Sequence, residues 1–369
     1  MKKYIITLLL IAGMSLTHSA TTDISFNNEQ CQQDFNFIAK FLLENDAGIH
    51  ADGWKTYPDI ISKTLQTQQT KITQITTIKD CVEIIEPFLR TIRKGHLWAS
   101  DQSIFHDFHL NTDSNTDKKP IETQQLSELT TYIKVTSFRE GMKGKLEKVI
   151  QSNQDNIRSS PYIIIDVRES NGGNDSNYLP LIQLLGQHEY WFQSPKLFST
   201  PENIKAWTIY KTLLNSASHN KWNDAITAKM RTQLWRWVSL FDRNEIKQTI
   251  HKQEAWAQPK KVAILMSSEC GSSCEQFILT VKQHPNVITM GQNSYGAIAA
   301  SNMLEKLTPS NKIYLSYTGT YVNLGIQDVD RLGIPPQIKL TQPRDKIAYD
   351  AEVSLAQSLL ENEKAYKTN

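Results

Sequence analysis

Apolar runs mark the elements of this chain, and their periods distinguish strands from helices. Two runs are nearly continuous: Tyr162 to Val167 in "PYIIIDVRESNGGN", and "KKVAILMSS" over 260–268. Short apolar runs bounded by polar or glycine-rich segments are the pattern of strands buried on both faces of a parallel sheet. Ahead of the first, "TYIKVTSF" (131–138) alternates as a strand does, and "GKLEKVIQSNQ" behind it has helical spacing. Strand, helix and strand in that order predict a βαβ unit. After the second run, "SCEQFILTVKQH" reads as a helix, "NVITMG" as a short strand and "KIYLSYTGTYV" as another. The tail "DAEVSLAQSLLENEKAY" reads as a terminal helix.

The flanking segments have a different pattern. In residues 28–48, Phe35, Ile38, Phe41 and Leu42 recur at helical spacing, and Gly48 is placed to end the helix. Residues 76–94 read as a second helix, kinked at Pro87. "KGHLWAS" then supplies a glycine turn and a short strand. Residues 110–124 are polar and read as a loop. Residues 185–257 hold Trp191, Trp207, Trp222, Trp235 and Trp237, with Trp256 at the margin. Their amphipathic pattern predicts a helical insertion, whose tryptophans either fill a packed cap or line an apolar pocket. No repeat and no low-complexity tract is present.

The first twenty residues have the form of a secretory signal: Lys2 and Lys3, the apolar core "YIITLLLIAGMSL", and small residues near Ala20. Cleavage after Ser19 fits about as well as after Ala20, and the alternative is an uncleaved anchor, for which the run is short. No cysteine sits at the cut, which disfavours a lipoprotein. Residues 1–20 hold two lysines and no acid, so the remainder carries 38 basic and 38 acidic residues. That balance gives no reason to expect a nucleic-acid partner, and no later segment is apolar enough to span a membrane. The export signal implies a periplasmic or secreted location, where four cysteines can form two disulfides. Three pairings are possible. The shared helical context of Cys31 and Cys81 favours that pair, which leaves Cys270 with Cys274.

Three stretches carry candidate chemistry. In "SSECGSSCEQFIL", Ser272 sits where a strand gives way to a helix, and Glu275 would complete a capping box. A hydroxyl there lies at the positive end of a helix, which suits a nucleophile as well as a plain cap. His96 follows a glycine between the helical segment and a strand, and by itself is an ordinary histidine. In "DVRESNGGN", Gly172 and Gly173 let backbone N–H groups face an oxyanion, or simply make a tight turn. His106 and His109 in "HDFH" have no carboxylate or cysteine cluster around them, so a solvated loop is expected rather than a metal site.

Taken together, these stretches resemble the tail-specific, or C-terminal processing, serine peptidases. "IIIDVRESNGGN" resembles that family's "DhRxNxGG" turn. "VAILMSSECGSSCEQFILTVKQHPNVITMGQNSYG" resembles its nucleophile block, where S-x-x-E is followed by a helix, a strand and a "GexTxG" turn. "GIQDVDRLGIPPQIKL" is similar to its "EGxGVxPDxxV" element, and "IRKGHLWAS" to the segment before its core. The four stand in the family's order from about residue 30 to the C-terminus. The resemblance implies an α/β fold with a ClpP/crotonase-like parallel-sheet core (96–369), an N-terminal helical domain (21–95) and the helical insertion (about 185–258).

The processing branch of the family places a lysine directly after its "TxG" turn. Ala297 stands there in this chain, which instead resembles the branch of the tricorn core, with serine, histidine and a carboxylate. That branch implies Ser272 as nucleophile, His96 as general base and Asp330 as the carboxylate, where glutamate is usual. Asp330 would then orient the imidazole directly or through a hydroxyl. The oxyanion donors would be the N–H of Ser273 and of Gly172 or Gly173. The gap between "GHL" and "TYIKVTSF" is too short for a PDZ module. The expected substrate is a peptide or protein, with no cofactor. The alternative is a non-catalytic binding protein on the same scaffold, as in modules of interphotoreceptor retinoid-binding protein, holding an apolar ligand or peptide.

Overall fold

The structure, a computed structural model, describes residues 26–51, 57–102, 119–213, 217–241, 245–250, 259–342 and 345–362. The signal-like segment and the pair His106 and His109 lie outside the described residues. The chain opens with α1 (Asn28–Asn45), α2 (Ala47–Ala51), α3 (Tyr57–Ile72) and α4 (Ile78–Ile92). Then follow β1 (Trp98–Asp101), β2 (Ile121–Gln125), β3 (Thr130–Val135), α5 (Met142–Ser152), α6 (Gln154–Ser159), β4 (Tyr162–Asp166) and α7 (Leu179–Leu184). The central stretch holds β5 (His188–Gln193), β6 (Lys196–Phe198), α8 (Pro201–Leu213), α9 (Ala217–Thr232), β7 (Trp237–Ser239) and β8 (Glu245–Ile250). The remainder is β9 (Lys261–Met266), α10 (Ser273–Val281), β10 (Val287–Gly291), β11 (Ala300–Leu307), β12 (Ile313–Tyr321), α11 (Val329–Leu332), β13 (Ile338–Lys339) and α12 (Lys346–Glu361).

The predicted apolar runs, β4 and β9, are neighbours at the centre of a six-stranded sheet of order β13-β10-β9-β4-β3-β2. All pairs in it are parallel except β2 with β3. Because side chains alternate along a strand, Ile163, Ile165, Val262, Ile264 and Met266 enter a cluster with α5, α7 and α10 on one face. Tyr162, Ile164, Ala263 and Leu265 join Ala356 and Leu360 of α12 on the other. Burial on both faces explains why these strands read as unbroken apolar runs.

A second sheet is built around β12. β11 lies along one edge, β1 and β6 share the other, and β7 extends beyond β6. The N-terminal helices bury Phe35, Ile38, Leu42, Ile85, Phe88 and Leu89 in one cluster with Leu304, Ile313, Leu315 and Tyr317 of this sheet. The disulfide Cys31–Cys81 ties α1 to α4, with Cα atoms 5.7 Å apart. α4 runs through Pro87.

Residues 185–258 differ from the purely helical pattern read above: alongside α8 and α9 they contain β5 to β8. β6 and β7 are three-residue strands, too short to display a period. Trp207 packs with Leu197, Ile204, Ile226, Met230 and Val238, whereas Trp191 and Trp235 are exposed. β2 also lies partly within the polar stretch read as a loop. Among the described residues, no helix is long and apolar enough to cross a membrane.

Candidate active site

β9 ends at Met266, and the chain reaches α10 through the turn 267–272. Neighbouring turns hold this one from both sides. Ser267 Oγ donates to the Arg168 carbonyl (2.6 Å), Gly271 N–H donates to the Ser170 carbonyl (3.3 Å), and the Cys270 carbonyl accepts the Tyr295 N–H (2.8 Å). Cys270 and Cys274 are disulfide-bonded, Cα atoms 5.3 Å apart, so a covalent link brackets Ser272. Ser272 caps α10 with φ 56° and ψ −121°, a region that L-residues enter only when their surroundings impose it. The sequence offered Ser272 as a nucleophile or a plain cap where a strand gives way to a helix, and the strained conformation is that of a residue held at such a sharp turn.

Glu275 lies three residues on and is fully buried. Its Oε2 accepts the N–H of Ser272 (2.9 Å) and of Ala297 (2.7 Å), and its Oε1 accepts the Ser294 hydroxyl (2.5 Å) and the Gly296 N–H (2.8 Å). Burial pushes this carboxyl above its ordinary value, and the four hydrogen bonds oppose that shift.

Gly172 approaches Ser272 directly. A Cβ added to it would lie 2.5 Å from the Gly271 carbonyl oxygen, 2.9 Å from Ser272 Cβ and 3.1 Å from the Ser273 nitrogen. A Cβ added to Gly173 would instead meet the backbone of Phe138 and Arg139. Hydrogen bonds run from Phe138 N–H to the Gly172 carbonyl and from Asn174 N–H to the Phe138 carbonyl, both 2.9 Å, which leaves the N–H groups of the two glycines out of this bridge. Ser273 Oγ donates to the Gly173 carbonyl (2.9 Å), so the glycine turn and the start of α10 are fastened together.

His96 is positioned from the N-terminal side. Arg93, the C-cap of α4, forms a buried bidentate pair with Asp46 (3.0 and 2.9 Å), and its Nε donates to the Gly95 carbonyl (3.0 Å). His96 has φ 54° and lies half-buried, with Nδ1 2.8 Å from the Ala300 carbonyl. A carbonyl can only accept, so Nδ1 carries the proton and Nε2 is left as the basic nitrogen. Burial pushes the imidazole below its ordinary value, and the Arg93 charge acts in the same direction. The bond to Ala300 and the Asp330 charge oppose the shift.

Asp330, in the first turn of α11, gives both carboxylate oxygens to the backbone. Oδ1 accepts the N–H of Ile298 (2.9 Å) and Ala299 (2.8 Å), and Oδ2 accepts that of Ala300 (2.8 Å). The hydrogen-bond partner of the imidazole is thus the Ala300 carbonyl, and Asp330 holds the residue that supplies it. This differs from the expectation that Asp330 would reach His96 directly or through a hydroxyl.

The two halves meet at Tyr295. A Cβ at Gly95 would lie 3.1 Å from its Cε1, and one at Gly271 would lie 3.3 Å from its Cβ, while its hydroxyl donates to the Lys94 carbonyl (2.7 Å). The loop carrying His96 and the turn carrying Ser272 therefore rest against one side chain. Of the six non-glycine residues with positive φ among those described, His96, Ser272 and Asp328, the cap of α11, lie at this site. Ala300, Tyr295 and the Arg93–Asp46 pair were missed in the sequence. The first acts through a backbone atom, and the others through contacts distant in the chain. No group of histidine, cysteine and acidic side chains among the described residues could hold a metal ion.

Residues 130–340, more than half of the chain, match the model of peptidase family S41. The chain belongs to peptidase family S41. It is a serine peptidase. Among solved structures, mature CPAF is similar at 11% identity with a TM-score of 0.59, over 92% of this chain and 99% of that one. Mature CPAF complexed with lactacystin matches at 12% identity and the same TM-score, over 91% and 99%. The photosystem II D1 C-terminal processing protease matches at 8% identity with a TM-score of 0.44, over 86% and 95%. At these identities the likeness to the two CPAF structures is one of fold. No match was found among curated protein sequences.

Proposed function

We propose that this S41 peptidase is exported and cleaves peptide bonds through an acyl-enzyme formed on Ser272. His96 Nε2 takes the Ser272 proton as Oγ attacks the peptide carbonyl. The imidazolium then gives that proton to the leaving amine, and the acyl-enzyme is released by a water that His96 deprotonates in turn. The Ser273 N–H, with that of Gly172 or Gly173, holds the oxyanion, a contribution worth about 100- to 1000-fold in turnover per donor. Asp330 is the carboxylate of the site and acts through the Ala300 backbone.

The observation that carries this reading is the convergence of three segments. A strained Ser272 lies against Gly172, and the loop of His96 packs on the same tyrosine as the serine turn. Export is supported by the signal-like first twenty residues and by the two disulfides. A fluorophosphonate probe tests the chemistry: it is expected to modify the wild type but neither Ser272→Ala nor His96→Ala. Labelling of Ser272→Ala at the wild-type rate, or binding of an apolar ligand by a wild type that the probe never modifies, would overturn it.

A further inference from the structure

Residues 296–300 read Gly-Ala-Ile-Ala-Ala, and every one of them is buried. Residues 296–299 form the irregular lead into β11, whose first residue is Ala300, so no helix takes these N–H groups. Two carboxylates collect all five in order. Glu275 takes Gly296 and Ala297 at 2.8 and 2.7 Å, and Asp330 takes Ile298, Ala299 and Ala300 at 2.9, 2.8 and 2.8 Å. A buried N–H without an acceptor costs about 1–3 kcal/mol, so these carboxylates dictate the path of a segment whose own side chains offer nothing polar.

We infer that Glu275 is a positioning residue of the peptidase site: together with Asp330 it shapes residues 296–300 so that the Ala300 carbonyl meets His96 Nδ1, while the same carboxylate holds the backbone of Ser272. The inference rests on the reading of Ser272 and His96 as nucleophile and base. Glu275 is suited to this because it serves both partners at once. Its Oε2 bridges the Ser272 and Ala297 N–H groups, at 2.9 and 2.7 Å. Its Oε1 takes Gly296 and the Ser294 hydroxyl, which in turn accepts the Ile334 N–H at 2.6 Å on the segment that follows α11. One buried side chain thus connects the serine turn, the 294–297 turn and the strand approach behind the histidine. Glutamine has the same shape but only one acceptor oxygen. Its amide nitrogen would face the Ser272 and Ala297 N–H groups in the Oε2 position, or the Gly296 N–H in the Oε1 position, and so leaves at least one of them without an acceptor.

The test uses the full chain and the fluorophosphonate probe, so that no substrate need be known. Glu275→Gln is expected to lower the second-order labelling rate by about 10- to 100-fold, the effect of an ångström-scale misplacement. It is also expected to shift or broaden the downfield proton resonance of His96 Nδ1–H below the melting temperature. A role in stability alone would leave that resonance of the folded protein unchanged. The charged groups that face His96 are Arg93 and Asp330. Asp330→Asn is therefore expected to slow labelling and to move its acidic limb to lower pH, whereas Glu275→Gln leaves the limb in place. Should Glu275→Gln fail to fold, Ser294→Ala removes one of its donors and is expected to slow labelling in the same direction. A wild-type rate and an unmoved resonance in the folded variant would overturn the inference. Its failure is separable from that of the peptidase reading: in the first case Ser272→Ala still abolishes labelling, and in the second it does not.

Discussion

Gly172→Ala puts a methyl group where the structure has no room for one. Gly172 has φ +93°, and the new Cβ would meet the Gly271 carbonyl oxygen at 2.5 Å and Ser272 Cβ at 2.9 Å. Neither neighbour is the free end of a flexible side chain, so the glycine turn and the serine turn must separate. The left-handed backbone by itself costs about 1–2 kcal/mol, and the overpacking adds about 1–3 kcal/mol. Separating the turns by about an ångström carries the Ser273 N–H away from the carbonyl under attack, which lowers turnover by about 100-fold. Gly141→Ala separates the two effects, because Gly141 has φ +77° with nothing within 4 Å of the added Cβ. That variant is expected to lose only the conformational contribution and to keep full activity. The measurements are the urea midpoint and the fluorophosphonate labelling rate of both variants. If Gly172→Ala labels within about twofold of wild type while losing no more stability than Gly141→Ala, the glycine turn does not abut the nucleophile as described.

Other perturbations have distinct expected outcomes. Because the His96 imidazole lies below its ordinary value of about 6.5 and must be neutral to act as base, activity is expected to persist as pH falls past that value and to drop only below it. An acidic limb at or above pH ~7 would contradict the environment described. Asp46 is raised by burial itself, but the Arg93 charge and its hydrogen bonds outweigh this and hold it below the usual carboxylate range. Its contribution to stability is therefore present above the unfolded-state value and lost as pH falls through the lower folded-state value. Asp46→Asn leaves a buried guanidinium without its counter-charge and should cost about 3–5 kcal/mol in chemical denaturation. Replacing both cysteines of Cys31–Cys81, which are 50 residues apart, should cost about 4 kcal/mol by loop-closure entropy. The same change at Cys270–Cys274, four apart, should cost about 2 kcal/mol. Only the latter is expected to slow Ser272 labelling, and equal labelling rates with and without reductant would refute a pinning role.

Legibility followed burial. β4, β9 and α10 could be read because strands covered on both faces need unbroken apolar runs, and a helix packed on them needs its spacing. β11 could not: only Ala300 and Leu304 of "ASNMLEKL" are buried, with polar residues at most of the remaining positions. β8, "EIKQTI", pairs with β5 in a ribbon apart from both larger sheets, so its pattern carries little signal. At the site, Ser272 and Glu275 were visible as a cap and its box. That Glu275 also takes two N–H groups beyond residue 294 was not, because a capping motif concerns one helix end only.

The amino-acid sequence alone determined which segments must be buried, where the glycine turns and helix starts fall, and which side chains carry hydroxyl, imidazole and carboxylate chemistry. These are properties of residue type and local spacing. Tertiary structure decided how they combine: that Gly172 lies against the serine turn, and that Tyr295 receives both the loop of His96 and the turn of Ser272. It also decided that the histidine is oriented by the Ala300 carbonyl, held in turn by Asp330. A backbone carbonyl is common to every residue, so nothing in the identity of Ala300 announces its role. Only the path of the chain, set by the carboxylates of two helices far from it in sequence, brings that oxygen to the imidazole.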